Sequence, residues 1–463
     1  MKKLRTTTGI LALFLYSFAF SQSGEDCSQN LSLFVESVKV KNYAEAYTPW
    51  MAVRQECPSL NVATFSYGER ILKDRIKNAT TPVEKNKEAT DLVKLYDEWL
   101  KHFPTKKGKN NKGSILSSKA QSMLDNKTAD MQLVYNTFDS AYTQDAKSFT
   151  NPKHLYNYFK TFYDLYKQGN ARVTMEALFD KYEEMSEKFE EESINLSRKL
   201  DIILKKENSG TALTKREQRS KRVYNVNSKA IGTYLGNLDA IIAKEATCEN
   251  LIPLYKRNFN ANKTDPVWLK RAAGRMDQKE CSDDPMFVTL VEALHNLDPS
   301  ADSAYYLGLL NDKNGNNSEA LKYYEESISL QTDNYKKAKI LFKIAVKFKN
   351  AGRRSQARNY AQKALGYQPS MGRAYLLIAN MYADSANGCG ETQFEKRAVY
   401  WLAADMARKA GQVDASLKST AQKTVRSFEG RAPSKTDIFT EGNAGKVIEF
   451  KCWIGKSVTV PNL

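Results

Sequence analysis

Residues 338–371 read AKILFKIAVKFKNAGRRSQARNYAQKALGYQPSM. Leu341, Ile344, Ala345 and Phe348 recur at helical spacing and mark one helix. Ala351-Gly352-Arg353 makes a turn. Ala357, Ala361 and Ala364 then mark a second helix, and Pro369 closes the unit. Small side chains on one stripe let two helices approach closely, so the stretch predicts a helical hairpin that packs onto further copies of itself.

Working outward, 301–334 repeats the arrangement. Leu307-Gly308 marks its first helix, Asn314-Gly315-Asn316-Asn317 its turn, and Ala320, Tyr324 and Ile328 its second helix. A third unit opens with Tyr375, Ile378-Ala379 and Tyr382. Its second helix carries Ala398 and Leu402 after an inserted loop holding Asn387-Gly388-Cys389-Gly390. The unit before 301 is degenerate: Trp268, Phe287, Val291, Leu294 and Pro299 fit, but Arg275 stands where a small residue is expected. Near the N-terminus, Phe34, Ala46, Trp50, Val53 and Pro58 fall at the same spacing around Lys41-Asn42-Tyr43. Tyr67-Gly68-Glu69, Ile71, Tyr96, Trp99 and Phe103-Pro104 read as another unit, lengthened by a loop from Thr80 to Lys87.

This pattern resembles the tetratricopeptide repeat (TPR) family, whose units run about 34 residues. The second unit matches at Leu341, Ile344, Ala345, Phe348, Ala357, Ala364 and Pro369, and departs with Ala361 where an aromatic is usual. The first departs further, with Asn311 and Thr332 at the family's Tyr and Pro positions. The fold class expected is all-α, a TPR-like helical-hairpin solenoid with a long central helical hairpin and a small C-terminal β-hairpin cap.

The expected organisation is a signal peptide over 1–21, N-terminal TPR-like repeats over 22–105, a helical insertion with long helices over 106–245, a TPR array over 246–430 and a β-hairpin cap over 431–463. Lys106 to Gly113 reads as a polar linker. Within the insertion, Asp180 to Glu192 is acidic, and Lys215, Arg216, Arg219, Lys221 and Arg222 are basic. A long hairpin is expected to bring these charges near one another. The tail alternates, Ile448, Phe450, Cys452 and Ile454 against Val447, Glu449, Lys451 and Trp453. Gly455-Lys456 then reads as a two-residue hairpin turn. A solenoid end exposes an apolar face and needs such a cap.

Lys2, Lys3 and Arg5 precede an apolar stretch from Gly9 to Phe20, and Ala19-Phe20-Ser21 offers a cleavage site before Gln22. The stretch is too short to span a bilayer, which takes about 20 residues. Cys27 lies too far downstream for a lipidated start. An even six cysteines in an exported chain suggest disulfides. Cys27 and Cys57 lie one hairpin apart, as do Cys248 and Cys281, which leaves Cys389 with Cys452; buried thiols are the alternative. No closely spaced cysteine pair suggests a metal. The leader, the Cys27-Ser-Gln-Asn-Leu segment, the repeats and the terminal Cys-Trp-Ile together resemble exported TPR proteins of Bacteroidetes-type bacteria.

His102, His154 and His295 lie far apart, and no phosphate-binding or nucleophile motif occurs, so the chain reads as no enzyme, with no cofactor and no metal. Asp283-Asp284 before Pro285 reads as a helix start. The segment from Asp312 to Asn317 reads as an inter-helix turn rather than a calcium loop. A formal charge of +17 favours an acidic partner, and outside the cytoplasm that means lipid headgroups or protein rather than nucleic acid. The resemblance implies a concave groove lined by first helices, with Tyr305, Leu309, Phe342, Val346, Arg373, Leu376 and Asn380 facing it. Some family members grip a peptide carboxylate with Lys and Asn; Tyr305 and Leu309 stand there here, which implies an apolar or aromatic anchor. The resemblance to exported proteins of that bacterial group also implies Ser140, Ser303 and Ser385, each in Asp-Ser-Ala, as candidate glycosylation sites. The function expected is an exported, non-enzymatic scaffold holding a protein segment or envelope component, periplasmic or at the outer membrane. The alternative is a glycan- or nutrient-binding part of an outer-membrane uptake system.

Overall fold

The computed structural model describes residues 25–170 and 173–463, and the leader expected over 1–21 lies outside them. The described chain forms two compact units that divide at Leu178 and Phe179. The central segment expected over 106–245 is therefore shared between them. No described helix is long and apolar enough to cross a membrane.

The first unit runs α1 (25–39), α2 (Tyr43–Glu56), α3 (Ala63–Asn78), α4 (Pro82–His102), α5 (Lys112–Asn126), α6 (Met131–Asp145) and α7 (Pro152–Lys167). From α2 through α7, successive helices pack on one another. Phe34, Trp50, Phe65, Leu72, Leu92 and Tyr96 form one core. Gly68 makes room for Trp50: a Cβ there would lie 2.6 Å from the indole nitrogen. That indole donates to the Thr64 carbonyl at 2.7 Å. Cys27–Cys57 ties the start of α1 to the end of α2. Arg54 is buried at the end of α2 and donates to both Asp91 and Glu98 of α4, at 2.8–3.0 Å.

Two expectations in this unit are corrected. Thr80 to Lys87 is no loop, because Thr81 caps α4 and Pro82 starts it, so helix begins almost at once. The segment 106–113 is no open linker either. Thr105–Lys106 (β1) and Lys109–Asn110 (β2) pair antiparallel. Lys107 and Gly108 both have positive φ, 52° and 74°, as a tight two-residue turn requires.

His154 on α7 bonds the Ser117 hydroxyl at 3.2 Å. Burial, then the nearby Lys73 and Lys153 charges, lower its pKa to about 4. The unfolded chain takes up a proton near pH 6.5, and the folded unit does not until about 4. This unit therefore loses stability as pH falls through that window, by at most about 3 kcal/mol. Urea midpoints between pH 7 and 4.5 should fall less in His154→Asn than in the parent.

The second unit opens with the rest of α8 (Met175–Asn208) and α9 (Lys215–Ile242), then α10 (Cys248–Asn262), α11 (Pro266–Gln278), α12 (Pro285–Leu297), α13 (Ala301–Lys313), α14 (Asn317–Leu330), α15 (Asn334–Asn350), α16 (Arg354–Tyr367), α17 (Gly372–Ala383) and α18 (Gln393–Val413). Helices α19 (Lys418–Glu429) and α20 (Lys435–Glu441) and strands β3 (Val447–Phe450) and β4 (Lys456–Thr459) end it. Four hairpins stack in series. α11 pairs with α12, α13 with α14, α15 with α16 and α17 with α18, and each pair touches the next. The fold is an all-α, TPR-like helical-hairpin solenoid.

The repeat residues pack as the spacing requires. Leu341, Ile344, Ala345, Phe348, Ala357, Ala361 and Ala364 are all buried. Tyr324 closes onto Gly308, where a Cβ would lie 2.5 Å from its ring. Where Ala361 replaces the usual aromatic, Tyr360 fills the gap and stacks on Phe348 at 5.3 Å. Cys248–Cys281 ties the start of α10 to the loop after α11. Asp284 caps α12, accepting from the Met286 amide at 2.8 Å. Asp312 pairs with Arg353.

At the C-terminus, β3 and β4 form the antiparallel cap, but Phe450 pairs with Lys456. The connection is thus the five residues Lys451 to Gly455, not a turn at Gly455-Lys456. Their own tethers pull them out of the strands. Cys452 bonds Cys389, the Trp453 indole donates to the Ser385 hydroxyl at 3.0 Å, and Ile454 is fully buried. Val460 and Ile448 pack with Phe394, Trp401 and Ile438, which covers the end of the array.

Candidate functional site

The long hairpin forms, but its charges do not meet as expected. Tyr182 bonds Asp239, Lys206 bonds Glu217, and Glu207 bonds Lys221. In that register the basic start of α9 faces the C-terminal turns of α8, and the acidic run lies at the other end. Lys206, then the Thr214 amide and hydroxyl, hold Glu217 down at about 2.

The acidic run instead meets the first helices of the solenoid. Arg275 of α11, almost fully buried, donates to Glu183 at 3.0 Å, to the Tyr255 hydroxyl at 2.9 Å and to the Phe179 carbonyl at 3.0 Å. Arg271, one turn earlier, forks onto Glu187 at 2.8 and 3.1 Å. Lys339 of α15 pairs with Glu190. Arg198 pairs with Asp333, and the Tyr335 hydroxyl donates to Asp201 at 2.7 Å. Gln368, just after α16, donates to Ser197 at 3.2 Å. Glu183, Glu187, Glu190, Ser197 and Asp201 lie one or two helical turns apart in succession, so one stripe of α8 lies along the first-helix face.

Burial raises the pKa of Glu183, and Arg275 only partly offsets it. Burial likewise raises that of Asp201. On the opposite face, burial and neighbouring Lys339 lower the pKa of Lys343.

Tyr305 and Leu309 are buried, Tyr305 against the Tyr306 and Tyr324 rings, and offer no open surface. Phe342, Val346 and Leu376 are half-buried, and Arg373 and Asn380 are exposed. The Arg373 guanidinium lies over Phe342 at 4.8 Å. A separate recess of about 320 Å³ opens among α16, α17, α18 and β4. Leu365, Tyr375, Ile378, Leu402 and Met406 line it, with Lys409 and Lys456 beside them. Ser303 and Ser385 are buried, and their hydroxyls bond the Asp298 and Met381 carbonyls, so neither presents a glycan site in this fold.

Sequence reasoning expected the long hairpin but treated Arg275 as a misfit and missed that α8 docks on the first helices. A signal was available. Arg271, Lys339 and Arg373 stand at one position of the repeat, whose period is about 34 residues. A cation returning at one position of successive first helices marks an acidic neighbour, here α8.

No family model matches the chain. Over 168 residues, 33% of this chain and 96% of each relative, it is 29% identical to the photosystem I assembly protein Ycf3 of Prochlorococcus marinus strain NATL1A and of strain NATL2A. A solved structure of a monomeric IFIT1 mutant with m7Gppp-AAAA aligns over 80% of both chains, at 11% identity and a TM-score of 0.31. The sequence similarity and the serially stacked helix pairs support a tetratricopeptide-type repeat.

Proposed function

We propose that the protein is an exported, non-enzymatic scaffold of the periplasm or outer membrane that holds a protein segment on its stacked first helices. One observation carries this reading: that face already holds a helical segment, α8, through side-chain bonds from α11 and α15. The two curated relatives are by name assembly proteins, and holding a partner segment is what assembly asks of a repeat array. Three cystines fit an oxidising compartment.

Photo-crosslinking in the intact envelope tests it. A crosslinking side chain at Val346 or Leu376 is expected to join one and the same protein, and one at exposed Lys363 on α16 is not. Recovery of oligosaccharide alone, or identical products from all three positions, would contradict the reading and favour glycan uptake.

A further inference from the structure

Cations on the first-helix face outnumber the carboxylates that α8 brings to them. Glu187 takes Arg271 and Glu190 takes Lys339. Arg373 stands at the same repeat position as those two, yet among the described residues it makes no ion pair: its guanidinium lies over the Phe342 ring, and Glu190 and Asp414 act on its charge only from a distance. Lys343, one turn beyond Lys339, rests over the Tyr305 ring at 4.9 Å and likewise has no ion pair among the described residues. The docked stripe of α8 meanwhile runs Glu183, Glu187, Glu190, Ile194, Ser197, Asp201, so two of its positions carry no charge.

The hold of α8 is also uneven. Arg275–Glu183 is well buried, with side chains 3% and 16% exposed. Glu187 is half exposed, and Lys339 and Glu190 are each about a third exposed. Pairs so open to water contribute about 0–1 kcal/mol each. Losing these open pairs costs little, whereas the buried Arg275–Glu183 pair and the buried Phe179, Tyr182, Met185 and Phe189 of α8 must be replaced in kind by an incoming helix.

We propose that this face is a binding site for an acidic amphipathic helix of a partner protein, that α8 is its resident occupant, and that a partner helix bearing further carboxylates displaces α8. The proposal rests on the scaffold reading and specifies its ligand. α8 and α9 are joined through Tyr182–Asp239 and Lys206–Glu217, and α9 also packs on the turn Ala415–Leu417, a contact that displacement of the whole hairpin breaks. Carboxylates at the places of Ile194 and Ser197 give the incoming helix two charges that α8 lacks.

The test uses the full mature chain and a fluorescent peptide of residues 179–208 carrying Ile194→Glu and Ser197→Glu. Glu187→Lys with Glu190→Lys loosens α8 and is expected to tighten peptide binding at least tenfold, read by anisotropy. If that pair disturbs folding by circular dichroism, Glu190→Gln is the milder variant, with the same direction expected. Adding Lys343→Ala and Arg373→Ala should weaken binding about tenfold, and Lys363→Ala should not. Equal binding to parent and loosened chain, or indifference to Lys343 and Arg373, overturns the proposal. Dimers of the loosened chain would assign the face to a second copy's α8, and so also overturn a separate partner. Crosslinks from Val346 without peptide binding would leave the scaffold reading standing while this site fell.

Discussion

Trp50→Ala is expected to destabilise the N-terminal unit by about 3–5 kcal/mol, the range for deleting a fully buried large aromatic. Trp50 has no exposed surface and sits on Gly68, which no longer side chain could replace without displacing it. The loss has two parts. The cavity removes packing from Ala46, Phe65 and Leu72 in the same core. The Thr64 carbonyl also loses its donor. Trp50→Phe separates them: it keeps much of the ring but removes the indole donor, and the Thr64 carbonyl, lying inside α3, keeps its helical place, so this part costs about 0.5–1.5 kcal/mol. Urea unfolding should therefore rank parent, Phe and Ala in that order. Equal stability of all three would show that α2 and α3 do not close on the indole.

The second large effect is at Arg275. Replacing it with methionine leaves Glu183, the Tyr255 hydroxyl and the Phe179 carbonyl without their donor in a dry place. Breaking a buried ion pair from one side costs about 3–5 kcal/mol. Arg275→Met together with Glu183→Leu removes both charges, and replacing a buried pair by apolar side chains is often near neutral. The double variant is expected to recover most of the loss in a thermodynamic cycle by urea unfolding. Simple additivity of the two single losses would mean that the two groups do not act as a pair.

Local packing was legible in the chain; long-range partnership was not. The repeat at 338–371 declares itself because alanine and leucine positions report directly on how closely two helices approach. Two cysteine separations, 30 and 33 residues, matched one helical hairpin, which left Cys389 with Cys452, and the bonds join those residues. Tyr360 in place of an aromatic at 361 escaped notice because a neighbour one position away can swing into the same gap. The turn of the C-terminal hairpin was misplaced because alternation in 447–460 says nothing of a cystine and a tryptophan drawn toward α17. The spacing of Glu183, Glu187 and Glu190 in α8 did not by itself reveal docking, because acidic residues at helical spacing suit a solvated helix equally well. Arg275, out of place in its repeat, and the cations Arg271, Lys339 and Arg373 at one repeat position hinted at it from the other side.

Hydrogen exchange across α8 in the full chain tests the central claim most directly. On saturation with the acid-enriched peptide, amides of 179–208 are expected to exchange faster while those of α15 and α17 slow. Unchanged exchange in α8, or new protection confined to α14 and α16, would contradict the account.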